Sequence, residues 1–350
     1  VGSALDYVHF TSSAGVALAS TTGAGIVSVA VAGVGAAKYA IGGAVSLNGI
    51  YNLTEALITN WSDVDITGAL NLNASDISAI VSVAGQLTLA GKVSFGISVA
   101  NNSVIGSVRA GIEDSEVTST STITAKATTE AAEGATKSAV IVAWAVGGSG
   151  AATMSMSGTG SIAGAVAGAW ADNTISLTVE SLIVGSDVDV SAGGASLSAK
   201  DTSESRSVAG IAALSGVFGA AGSAAISVGL SLAGNTIANE VRAQVDRSSV
   251  DARDGVRLEA TENATVDSWT MGGALAAAVS AGGGIGGSGA GAFSFNDIRN
   301  TVQAAVTRGS AVTVTGAFPV NLTASDTSRI LSDAGGFAIA LMFGGGGGAG

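Results

Sequence analysis

The chain has 350 residues and a formal charge of −12, with 52 glycines, one proline, no cysteine and 11% charged residues. An acidic chain without a basic cluster disfavours nucleic acid and anionic lipid head groups as partners. The missing cysteines exclude a disulfide framework and a thiolate metal site. A length of 350 would ordinarily mean two or three domains, but internal repetition overrides that expectation and predicts one repeat array over 1–350. The array is expected to be a window on a longer polypeptide: it opens at Val1 without a readable signal peptide, and Gly15-Val16-Ala17-Leu18 matches the mid-repeat Gly255-Val256-Arg257-Leu258.

Taken in order, every repeat has a charged half and an uncharged half. The charged half opens on Asn-x-Ile or Asn-x-Val, at Asn48, Asn102, Asn173, Asn235 and Asn296. Strict period-2 alternation makes each opening a strand. A short strand built on Ser-x-Val or Asp-Val follows, centred on Val64, Val117, Val188, Val250 and Val312. A third strand is centred on Leu-x-Ala or Ile-x-Ala, anchored at Ala74, Ala125, Ala199, Ala260 and Ala324. One apolar and one polar face per strand predicts a core on one side and water on the other.

The uncharged half runs from this alanine to the next asparagine. Its spacings are 28 (74 to 102), 48 (125 to 173), 36 (199 to 235) and 36 (260 to 296), all even. Even increments are what two paired arms of equal growth would add, because side chains alternate with period 2. The glycine run Ala281–Gly287 is where an arm reverses, since glycine tolerates positive φ. At each asparagine the faces exchange character. Ala290, Ala292 and Ser294 share one face of their strand with Ile298 and Val302, whereas Phe293 and Phe295 give way to Asp297 and Arg299 on the other. The outgoing arm mirrors this, with Ala274 and Ala276 opposite Trp269 and Met271; only the arm after Ala199 is irregular, with Ile211 and Val217 on the small face.

One geometry reconciles these switches: an all-β solenoid of keyhole-shaped coils. Its charged half wraps an Ile/Val/Leu core, and its arms flatten against each other through Ala, Gly and Ser. The five asparagines then form a ladder at the neck. By parity, Trp144, Trp170, Leu230, Leu232, Trp269, Met271, Phe293, Phe295, Phe337 and Phe343 fall on the outer side of the arms, aligned into an apolar strip. The alternative architecture is an antiparallel hairpin array or barrel, with interfacial aromatics facing lipid. Transmembrane helices fit poorly, since each interior glycine costs a helix about 1 kcal/mol relative to alanine.

Motifs for chemistry are sparse. Gly282-x-Gly284-x-x-Gly287 fits a dinucleotide fingerprint but no helix pattern follows, and Gly91-Lys92 lacks the rest of a phosphate loop. With His9 the only histidine, a Ser-His-Asp triad is not expected. Asp63 and Asp65, and likewise Asp187 and Asp189, put two carboxylates on one strand face and are weak calcium candidates, against the simpler reading of a solvated turn. The sequons at Asn52, Asn263 and Asn321 arise readily by chance in a Ser/Thr-rich chain. No cofactor or catalytic residue is expected, and the chain is read as a non-enzyme.

The Asn-x-Ile-x-Asn-x-Val-x-Ala pattern at Asn235 and Asn296, with its Gly/Ala-rich loops, resembles giant bacterial surface proteins. These are the haemagglutinin-like adhesins, autotransporter-type passengers and leukotoxin-type exoproteins. The resemblance implies an extracellular or cell-surface rod or fibre, adhesive or structural in role, with identical copies as partners. A membrane-inserting or pore-forming segment is the competing class.

Overall fold

The structure, a computed structural model, describes residues 1–129, 140–156 and 159–345 and the backbone of 348–349. Each repeat forms one coil of a parallel β-solenoid. In the second coil, a short strand Asp63–Ile66 leads to a middle strand Leu70–Asp76, an outgoing arm Ala79–Ala90 and a return strand Val93–Glu113. Corresponding strands stack in register into four sheets, with every coil paired to the one before and after it. Successive arms of one coil do not pair with each other. The antiparallel hairpin array and barrel alternatives are therefore overturned: hydrogen bonds run between coils, along the rod axis.

Two cores follow from the two halves of the repeat. The return strand beyond its asparagine, the short strand and the middle strand enclose Ile58, Ile66, Leu72, Ile112, Val188, Leu197 and their equivalents. Ala84, Ala143, Ala165, Ala209, Ala233 and Ala276 fill the space between the arms. Their small size lets the two arm sheets lie close enough to make a thin two-layer fin that projects from a three-walled prism.

The arms come in two lengths. The outgoing arm spans 12 residues in the first two coils, Gly25–Ala36 and Ala79–Ala90, and 16 in the next four, such as Glu204–Gly219 and Thr265–Ser280. The long spacing of 48 has another origin than longer arms. Val140 pairs with Ala79 and Glu204, so the third coil's outgoing arm starts where its neighbours do. Part of the spacing is register, since Ala127 and not Ala125 stands in line with Ala74 and Ala199; most of the remaining added length falls in residues 130–139, outside the described residues. Ile211 and Val217, the irregular pair, are both buried in the alanine core. Room for Ile211 comes from the facing arm, where Gly229 stands opposite its side chain.

Candidate interaction surface

The neck is set by the five asparagines, which share one column: Asn48, Asn102, Asn173, Asn235 and Asn296 pair in register on the return strands. Each amide donates to the carbonyl oxygen of the next, at 2.9 Å from Asn48 to Asn102, 2.9 Å to Asn173, 3.1 Å to Asn235 and 2.8 Å to Asn296. The second amide hydrogen crosses the neck to the outgoing arm, at Val142 O from Asn102, Arg206 O from Asn173 and Ser207 Oγ from Asn235. One side chain thus ties coil to coil and arm to arm, satisfying a polar group in a dry place.

Two further polar columns escape a reading by parity. Ser62, Ser115, Ser186, Ser248 and Ser310 precede the short strands, and each hydroxyl accepts the backbone N–H of the previous coil at 3.1–3.2 Å. Just before this serine the chain turns left-handed, at Tyr7 before Val8 and then at Trp61, Asp114, Gly185, Arg247 and Gly309, with Asn60 and Arg308 left-handed as well. A left-handed non-glycine residue costs about 1–2 kcal/mol, and the serine ladder offsets it by holding the corner. The Ser-x-Val repetition is its signal in the sequence.

The other missed column lies where the middle strand meets the outgoing arm. Asp76 and Asp201 are buried there, each turned back onto its own Ser78 or Ser203 and bonded across the coil by Asn52 or Asn239. Asp246 shows a different solution at the corner before the short strand. The Arg308 guanidinium grips it at 2.5 and 2.6 Å with help from Thr307 and Arg247, holding its carboxyl down at about 2.

The acidic candidates lie on the outer face of the short-strand sheet. Asp63 aligns with Glu116 and Asp187, and Asp65 with Thr118 and Asp189. The two pairs are thus kept apart by a whole coil, and Asp63 is bonded to His9 Nδ1 at 2.8 Å. No three acidic or histidine side chains converge in a cation-binding geometry among the described residues.

The apolar candidates do not make one strip. Trp144, Trp269, Met271, Phe337 and Phe343 lie on the outgoing sheet, whereas Trp170, Leu230, Leu232, Phe293 and Phe295 lie on the return sheet. These are the two opposite faces of the fin, so the single strip read from parity divides into two back-to-back surfaces. Parity alone assigns inside and outside but leaves open which of the two outsides a residue occupies. Within each face the residues do align. Trp144 and Trp269 share a column with Val29, Val83 and Val208, and Trp170, Leu232 and Phe293 share one with Val45 and Val99. Large side chains lean over neighbouring glycines, as Leu87 does at Gly148 and Phe337 at Gly273. Phe293 and Phe295 stack at 6.4 Å. All but Leu232 remain exposed, Trp144 by 47% and Phe295 by 62%.

Charge is absent from these faces. Glu204, Arg206, Asp267 and Arg329 sit at or below the neck; above the neck serines, beyond Asp172 and Asp333 close to the neck, the only charged side chains on the described fin are Lys38 and Lys92 at its tips. From the neck serines Ser82 and Ser207 to the arm ends at Ala90 and Gly219, the fin rises roughly 26 and 40 Å at about 3.3 Å per residue. Six coils about 4.8 Å apart make the outgoing face roughly 29 Å wide, hence roughly 800–1,150 Å² of mainly apolar surface.

These features define a parallel β-solenoid whose distinctive surface is a two-sided apolar fin. No family model, curated protein or solved structure matches the chain.

Proposed function

We propose that the chain is a non-catalytic structural or adhesive segment of an extracellular bacterial repeat protein, a rod that joins identical copies side by side through its fin. The observation that carries this reading is the fin itself. Monomeric soluble proteins rarely expose apolar patches beyond about 300–600 Å², and a standard protein interface covers about 800 Å² per partner. The outgoing face alone is of that size, and at roughly 25 cal/mol per Å² its burial is a large driving force. A repetitive face suits a repetitive partner, because one coil's fit is then shared by all.

Sedimentation of the 350-residue chain in dilute aqueous buffer tests this. Assemblies well above monomer mass are expected. Trp144→Asp together with Phe295→Asp, one on each face, should return the chain to a monomer with its strand content intact. A wild-type chain that stays monomeric and binds no hydrophobic dye overturns the reading. The membrane-inserting alternative has one observation in its favour: the charge-free band is comparable to the ~30 Å hydrocarbon core of a bilayer, with Trp144, Trp170 and Trp269 near the neck. Dye release from liposomes at nanomolar chain would favour it over association with copies.

A further inference from the structure

The column of corner carboxyls contains one that breaks the pattern. Down the rod, Thr129, Asp201, Glu262 and Asp326 occupy the last inward position before the outgoing arm. Asp201 is well served: Thr129 Oγ1 donates at 2.7 Å, Ser203 N at 3.0 Å, Ser203 Oγ at 2.9 Å and Asn239 Nδ2 at 2.9 Å. Four donors on two oxygens suit a carboxylate. Glu262 has none of this. Ala264 stands where Ser78, Ser203 and Ser328 serve the other corners, and the Ser328 hydroxyl is taken up by Ala264 N and Asn300 Nδ2. Glu262 is fully buried, and neither of its oxygens meets a donor.

A buried carboxylate with no donor, stacked between two other acids, is too costly to keep. A neutral acid in the same place is not, because its hydroxyl is itself a donor and the Asp201 carboxylate lies beside it. The charged groups that act on Glu262 are Asp201 from the coil before and Asp326 from the coil after; Asn239, which faces it across the coil, is neutral, and its amide, committed to Asp201 and Ser203, offsets their effect only slightly. We infer that Glu262 and Asp201 form a proton-held clasp at the root of the fin, which keeps the fourth and fifth coils together while Glu262 is protonated and loosens in alkali.

Burial first, and then the repulsion of Asp201, push the Glu262 carboxyl up to about 10. In an unfolded chain a glutamate titrates near 4.3. A folded value above the unfolded one gives stability that is complete below about 4.3 and is lost as pH rises through about 10. Between these limits the folded state holds one more proton than the unfolded state, so the local folding constant falls up to about tenfold per pH unit.

The test compares the wild-type chain with Glu262→Gln, which keeps the shape and supplies a permanent donor. Denaturant midpoints are measured from pH 6 to pH 9, with and without millimolar calcium. The wild type should lose stability with rising pH while the Gln variant holds, so that their midpoints diverge in alkali. Parallel profiles overturn the clasp. So does a wild-type midpoint raised by calcium when that of the Gln variant is not, since the corner would then hold a cation in place of a proton. If the variant does not fold, infrared spectra of the wild type decide: a protonated carboxyl band persisting at pH 8 supports the clasp, and its absence overturns it.

Discussion

Asn235 answers four partners at once. Its amide donates to Asn296 Oδ1 and Ser207 Oγ, and its carbonyl oxygen accepts from Asn173 Nδ2 and Ser205 Oγ. Asn235→Leu would strand several of these in a site that is 1% exposed. At about 1–3 kcal/mol for each unsatisfied group, tempered by relaxation, a loss of roughly 2–4 kcal/mol is expected. Because a solenoid opens locally, the loss should concentrate as faster amide exchange in the coils flanking Asn235. Exchange unchanged there, with an unchanged denaturant midpoint, would contradict the ladder's role. The asparagines were legible in the sequence because the faces of the strand exchange at each one. The serine ladder was not, although Ser-x-Val recurs at Ser62, Ser115 and Ser186, because its meaning depends on the left-handed residue before it. Glu262 is further from view, since its burden comes from neighbours about sixty residues away in the chain.

At the scale of the arm, what matters is how thin the fin must be. A methyl group placed on Gly272 would lie 2.3 Å from the carbonyl oxygen of Gly291 on the facing arm, a backbone atom with little room to yield. Gly272→Val should therefore wedge the arms apart and cost about 1–3 kcal/mol. Gly210, on the outer face of the same sheet, has open space around it. Gly210→Val should leave thermal stability unchanged or raise it, since valine favours strands. Equal melting temperatures for the two variants would show that the arms are not closely packed. The assignment of faces could be read from alternation alone, as Ala274 and Ala276 against Trp269 and Met271 show. Arm length could not. A spacing of 48 invites longer arms, whereas part of it is a shift of register at Ala127 and most of the rest falls between Thr129 and Val140, so the period and parity of the arm itself are undisturbed.

At the scale of the whole molecule, repetition made the architecture readable, because each packing rule is stated five times with small errors. The same repetition hides the partner, since a surface repeated for stacking and one repeated for association look alike until the two sides of the fin are separated in space. Apolar faces back to back cannot both be satisfied by one symmetric pair, so under the proposed association of copies side-by-side growth would have no natural stopping point. Phe295→Asp alone should therefore limit assemblies to pairs joined through the outgoing faces. The one-coil-per-repeat register also has a mechanical meaning. With bonds running from coil to coil, a chain held by its two ends unwinds like thread from a spool, one turn at each rupture. The turns are unequal, since neighbouring anchors lie 54, 71, 62 and 61 residues apart. At about 3.5 Å per extended residue, stretching in optical tweezers should release steps of roughly 190, 250, 220 and 210 Å, so that each molecule carries its own unevenly marked ruler.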